Sequence, residues 1–263
     1  VAVQLMPEEF RRSFGLVRED DVDVLLDASG FAFGDQHPPA RTTRFARKVE
    51  RAARDGKTVI LLPQAFGPFR ETKIRKDFAR IVEHADLVFA RAEISRKHAE
   101  SAAGCRDHLL QAPDFTSLIR PEHSRARAES DRACLVPNQR MIEKADSDAE
   151  AGAYVPFMVR CEDVVAEAGL EPVLLVHEEN DGELAARISR RAHRDVPVHE
   201  KSDPVALKRF LGESHLVVGS RFHALVGSLS MGVPAIGTSW SHKYEELFDE
   251  YGCSEMLLAV WSS

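Results

Sequence analysis

His215-Leu216-Val217-Val218-Gly219-Ser220-Arg221-Phe222-His223-Ala224-Leu225 continues through an apolar run to Met231 and then Gly232-Val233-Pro234-Ala235-Ile236-Gly237. The first five residues read as a buried strand, the run to Met231 as a helix, and the segment after Gly232 as a second strand. Strand, helix and strand in this order are the unit of a parallel α/β fold. Ser220 suits an N-cap, its hydroxyl accepting from a first-turn N–H. Arg221 and His223 then fall in that first turn. A helix N-terminus attracts anions, and cations there are unfavourable without a counter-anion. A guanidinium and an imidazole at this place predict a seat for phosphate or carboxylate. In the packing-only alternative Ser220 caps the helix while Phe222 and Leu225 fill the core.

The same alternation extends outward in both directions. Strands are expected at Val22–Asp27, Thr58–Leu62 (stopped by Pro63) and Leu87–Ala90. Helices are expected near Arg41–Asp55, Lys73–Ala85 and Ile94–Ala103, the last ended by Gly104. Residues 120–132 are polar and Arg-rich and read as a linker. A second α/β set follows: a strand from Ala133, a helix near Tyr154–Ala168, the strand Pro172–His177, a helix near Gly182–Arg194, a short strand near Val196–Val198, and a helix over Pro204–Gly212 with Pro at its start. The fold class is α/β with two parallel-sheet domains, 1–130 and 131–263.

Composition narrows the function. The chain has 263 residues and net charge -7. Residues 1–130 carry 22 Lys+Arg against 20 Asp+Glu, and residues 131–263 carry 13 against 22. An acidic protein argues against general nucleic-acid binding, so an anion site in the acidic half must be local. Cys105, Cys134, Cys161 and Cys253 form no CxxC pair, which suggests neither a zinc nor a redox motif, and a cytoplasmic location fits best. No apolar run is long enough for a membrane span, and the N-terminus lacks a signal-peptide shape. Between Arg41 and Lys57 the residues Arg41, Arg44, Arg47, Lys48, Arg51 and Arg54 lie on one helical arc, opposite Phe45, Val49, Ala52 and Ala53. The arc is either a solvated face or a contact for an anionic polymer or the inner membrane face.

The run Leu216–Leu225, with Gly232-Val233-Pro234-Ala235-Ile236 and Lys243 downstream, resembles the polysaccharide pyruvyl transferase family. Leu61-Leu62-Pro63-Gln64-Ala65-Phe66-Gly67-Pro68, Ala85-Asp86 through Arg91-Ala92-Glu93-Ile94-Ser95, and Ala112-Pro113-Asp114-Phe115 resemble its first-domain segments. The family's Gly-Asn-x-Gly-Asp opening has no counterpart before Val22, which raises the expectation of a shortened first domain. Its triple-Gly turn reads Ala28-Ser29-Gly30, and its Tyr-x-x-Lys element reads Trp240-Ser241-His242-Lys243. The resemblance implies two Rossmann-like domains in a GT-B-like arrangement, with an acceptor side formed by the first and a donor site by the second. It implies transfer of a pyruvyl group from phosphoenolpyruvate to a sugar, free or on a lipid-linked oligosaccharide, without metal or further cofactor.

On that reading Arg221 and His223 are the catalytic candidates, with Arg holding the donor's anions. His223 either moves the proton or only hydrogen-bonds phosphate. Ser220, Arg140, Arg91, Gln64, Gly30, Glu178 and Lys243 are the substrate-binding candidates. Several have a bland alternative. Gln64 belongs to a tight turn, Arg91 pairs with Asp86 or Glu93, Glu178 sits in an acidic loop, and Lys243 is a surface charge. Arg140 follows a strand end where an anion contact is plausible. The competing functions are a nucleotide-sugar glycosyltransferase, with His177-Glu178-Glu179 at the ribose, and a non-catalytic polysaccharide- or anion-binding relative.

Overall fold

The computed structural model describes residues 6–121, 130–238 and 243–258. The chain forms two units, Val1–Phe115 and Thr116–Ser263. The division falls within the short turn Phe115–Leu118, ahead of the boundary expected at residue 130. In the second unit Lys208 Nζ donates to the Thr116 carbonyl at 2.7 Å. Most of the expected linker, 122–129, lies outside the described residues, as do Trp240, Ser241 and His242.

The first unit runs α1 (Glu8–Ser13), β1 (Val24–Asp27), α2 (Pro39–Arg54), β2 (Thr58–Gln64), α3 (Thr72–His84), β3 (Leu87–Ala90), α4 (Glu93–Ala103) and β4 (Leu109–Gln111). The strands are parallel and ordered β1-β2-β3-β4. Three crossovers in one direction carry α2, α3 and α4 to the same face, where α3 packs between α2 and α4. The core gathers there, with Val59, Leu61, Val88 and Leu109 against Ala46, Val49, Phe78, Ile81 and Ala99. The opposite row, Val24, Leu26, Ile60, Leu62, Leu87 and Phe89, stands outside this core, half-exposed or exposed. β2 continues through Pro63, which was expected to stop it. Its register with β3 shifts between Leu61 and Gln64, at the place where proline has no N–H to give the ladder.

The second unit runs β5 (Arg132–Val136), α5 (Arg140–Glu143), α6 (Asp148–Glu167), β6 (Glu171–Val176), α7 (Gly182–Arg191), β7 (Val198–Glu200), α8 (Pro204–Gly212), β8 (Leu216–Gly219), α9 (Phe222–Ser230), β9 (Ala235–Thr238), α10 (Lys243–Glu250) and β10 (Leu257–Leu258). Its sheet is ordered β10-β9-β8-β5-β6-β7, again parallel. Winding reverses between β5 and β8, so both faces are covered. Cys134 and Val136 pack with Leu211, Leu225 and Phe248, while Ala133 and Leu135 pack with Tyr154, Met158 and Ile188. Local signals set the helix starts. Asp203 caps α8 by accepting from Ala206 N at 2.6 Å, with Pro204 at its first position. α6 begins earlier than the apolar pattern suggested because Ser147 caps it through Glu150 N at 3.3 Å.

The carboxyl ends of β5 and β8 meet at the reversal, where Val136 pairs with Gly219. A Cβ on Gly219 would lie 3.1 Å from Val136 Cβ, so glycine permits this approach. Doubly wound sheets bind ligands in the crevice at such a reversal.

Candidate active site

Ser220 leaves β8 fully buried, and the structure corrects its expected role as N-cap. α9 begins at Phe222, with Arg221 in the cap position and no side-chain cap. The Ser220 hydroxyl is drawn inward to Tyr154 OH at 2.7 Å and to Thr238 Oγ1. Its carbonyl accepts from Asn138 Nδ2 at 2.7 Å and from Tyr244 OH at 2.8 Å. Ser220 therefore ties the ends of β5, α6, β9 and α10 to the turn that carries the site. Burial pushes the Tyr154 phenol up, so it remains a neutral partner in this network.

Arg221 is buried. Its Nε and Nη2 donate to Asp181 Oδ2 and Oδ1 at 2.7 and 2.6 Å, and its Nη1 lies 2.7 Å from Glu178 Oε2. Asp181, wholly buried, also accepts from Gln139 N at 2.9 Å. Burial works against the Arg221 charge, but the Asp181 carboxylate outweighs it and its pKa rises. All three guanidinium nitrogens thus meet carboxylates. The side chain of Glu178 is 55% exposed, whereas that of Asp181 is closed off.

His223, the second residue of α9, is exposed and lines a cavity of about 340 Å³ with His177, Lys201, Ser202 and Lys208. Apart from Thr116 the rest of the wall is apolar, including Ile119, Pro204, Val205, Leu207 and Leu211. His177 follows β6, and its Nδ1 is buried with no partner among the described residues. Burial, then the His223 and Arg221 charges, lower its pKa to about 4 against the opposing pull of Asp181, so it is an uncharged imidazole at neutral pH. The lining of the cavity combines the cations Lys201 and Lys208 with apolar side chains.

The structure brings Ser220, Arg221, His223 and Glu178 together at this end of the second sheet. Lys243 opens α10, with Nζ 4.9 Å from the Phe222 ring centroid, beside the start of α9. Arg140 opens α5, exposed, its Nη1 2.7 Å from Glu143 Oε2 and its backbone N held by Asn138 Oδ1 at 2.9 Å. Asn138, Lys208 and Tyr154 were not singled out by sequence, and His177 entered only through the acidic segment after β6. Asp181 closes an acidic run whose other members are exposed, and only packing distinguishes it.

The remaining candidates lie in the first unit. Gly30 turns the chain after β1 at φ +70°, its carbonyl accepting from Ala65 N at 2.9 Å. Gln64 is fully buried; its Nε2 donates to Asp27 Oδ2 at 2.7 Å, while its Oε1 has no partner among the described residues. Arg91 pairs with Asp114 at 3.0 Å, both buried, and not with Asp86 or Glu93. Asp86 accepts from Val59 N at 2.7 Å, and Glu93 pairs with Lys97 at 2.7 Å. The reason is topological. β3 and β4 are neighbours in the sheet, and Asp114 follows β4 as Arg91 follows β3.

Two parallel α/β units, the second with a winding reversal between β5 and β8, define a protein of the two-Rossmann-unit class. The sequence profile of polysaccharide pyruvyl transferase matches residues 3–242, and the chain belongs to that family. Among solved structures it resembles UDP-GlcNAc 2-epimerase from Neisseria meningitidis bound to UDP-GlcNAc, at 11% identity and TM-score 0.51, covering 95% of this chain and 65% of that one. It also resembles HepE from Anabaena in complex with UDP-glucose, at 13% and 0.50, covering 90% and 65%. A third likeness is to accessory secretory protein 1,2 and 3 of Streptococcus pneumoniae, at 13% and 0.52, covering 96% and 52%. At these identities the likeness is one of fold. The chain spans 52–65% of the length of these three. Among the described residues no helix is long and apolar enough to cross a membrane.

Proposed function

We propose that the protein transfers a pyruvyl group from phosphoenolpyruvate to two hydroxyls of a polysaccharide sugar, releasing phosphate. The observation that carries this reading is the cavity holding His223 beside His177, Lys201 and Lys208 at the start of α9. Family membership supports the reaction class. The donor's anions face Lys201, Lys208 and the first turn of α9, and one of them exchanges with Glu178 at Arg221 Nη1. Oriented donors of this kind stabilise charge on a departing phosphate.

His223 delivers a proton to the methylene carbon of the enol, which becomes the methyl group. The neighbouring carbon gains cationic character and bonds to one sugar oxygen. Its bond to phosphate breaks, and a second sugar oxygen closes the ketal. The two hydroxyls lose two protons, of which one replaces that spent on the methyl group and one leaves with phosphate. Phosphate release from phosphoenolpyruvate in the presence of a galactoside or mannoside tests the reading. His223→Ala should lower turnover by roughly 10²–10⁴-fold. Wild-type turnover in that variant overturns the assignment, and release that ignores the acceptor overturns the function.

The apolar wall of Pro204, Val205, Leu207 and Leu211 favours a second reading, a nucleotide-sugar transferase, as two of the structures of similar fold hold UDP-sugars. Calorimetry with phosphoenolpyruvate and with UDP separates the two.

A further inference from the structure

We propose that α2 docks the protein on an anionic lipid surface, with the aromatic tip around α1 entering the headgroup layer. α2 buries Thr42, Ala46, Val49 and Ala52. The other side exposes Arg41, Arg44, Arg47, Lys48, Arg51 and Arg54 along a helix about 24 Å long. The acid on this helix, Glu50, is taken by Arg80 at 2.7 and 2.8 Å. Arg51 lies 3.9 Å from Glu19, whereas Arg41, Arg44, Arg47 and Lys48 have no ion-pair partner among the described residues. Cations three and four residues apart repel one another, and a layer of phosphate charge relieves that repulsion.

A second feature selects a bilayer over a soluble polyanion. Phe10 and Phe14 are 48% and 64% exposed with ring centroids 4.6 Å apart, and Val17 is 64% exposed. This apolar tip is tied to the C-terminal end of α2. Arg11 bonds Asp21 at 3.3 Å, and Lys57 Nζ reaches the carbonyls of Glu19 and, at 2.9 Å, Val22. Cations beside exposed aromatic rings are the composition of an interfacial anchor, and a soluble polymer has no use for the rings. The overall charge of -7 points the same way, because a long polyanion tracks across acidic surface whereas a plane touches one face. The proposal stands apart from the pyruvyl-transfer reading.

Vesicle flotation of the full chain tests it, with phosphatidylcholine vesicles lacking or containing roughly 30% phosphatidylglycerol at about 50 and 500 mM salt. Binding is expected only to the anionic vesicles and should weaken at high salt. Each lost cation should weaken partitioning about fivefold, so combined Arg44→Glu, Arg47→Glu and Lys48→Glu should abolish it. Phe10→Ser with Phe14→Ser should weaken it about tenfold at equal salt. These side chains are exposed, and unchanged circular dichroism confirms folding. Failure of the native protein to float with anionic vesicles, or equal binding by the charge-reversal variant, overturns the proposal. Equal binding by the Phe variant overturns the choice of a bilayer.

Discussion

The pair Arg221–Asp181 is buried on both sides, and the cost of removing it is calculable. Asp181 accepts three hydrogen bonds, two from Arg221 at 2.7 and 2.6 Å and one from Gln139 N at 2.9 Å. Arg221→Ala leaves a carboxylate at 0% exposure with only the backbone donor. Removing one partner of a buried pair costs about 3–5 kcal/mol, most of it the penalty of the charge left behind. Asp181→Ala strands the guanidinium instead, but Glu178 still faces it, so the loss should fall at the lower end, about 3 kcal/mol. Arg221→Met with Asp181→Leu removes both charges and should cost less than the sum of the singles by about 2–3 kcal/mol. The assay is urea unfolding followed by Tyr and Trp fluorescence, with m-values checked for constancy. Singles that each lose under about 1 kcal/mol, or that add without coupling, would show that the pair is solvated in solution and would refute the reasoning.

Glu178→Gln should tighten phosphoenolpyruvate or inorganic phosphate binding by up to about fivefold by calorimetry, since an exposed ion pair of up to about 1 kcal/mol no longer competes for Arg221; weaker binding would make Glu178 a ligand contact. The His177 pKa is lowered from 6.5 to about 4, so the unfolded chain binds the proton first. Stability is therefore complete above pH 6.5 and is lost as pH falls toward 4, by roughly 3 kcal/mol. Thermal melts of His177→Gln should show a shallower decline across that window, and parallel curves would place the imidazole in water. Gly219→Ala sets a methyl 3.1 Å from Val136 Cβ and should cost about 1–3 kcal/mol by pushing β8 off β5, read as a lowered melting temperature.

The site itself divides into what neighbouring residues reveal and what distant ones impose. Most of the strand and helix order, the start of α8 at Pro204 and the basic stripe of α2 were legible, because helix-start preferences and helical periodicity act within a few residues, whereas β4, α10 and β10 were not among the expected elements. The charge of Arg221 beside a helix start was legible as awkward without a counter-anion, and Asp181 and Glu178 supply that counter-charge. Pro63 misled because a break in strand pairing, invisible locally, accommodates it. Ser220 misled in a more instructive way. A serine ahead of a helix caps it when nothing else competes, but Tyr154 and Thr238 arrive from α6 and β9 and take the hydroxyl. Arg91 found Asp114 and Arg221 found Asp181 through the lateral order of parallel strands, a contact that no spacing along the chain records. The sequence by itself determined most of the elements, the parallel α/β class and where cations gather near a helix start. Only the tertiary structure decided which carboxylates already hold those cations and which imidazole is kept uncharged, because burial and partner choice depend on strands that become neighbours only when the sheets assemble.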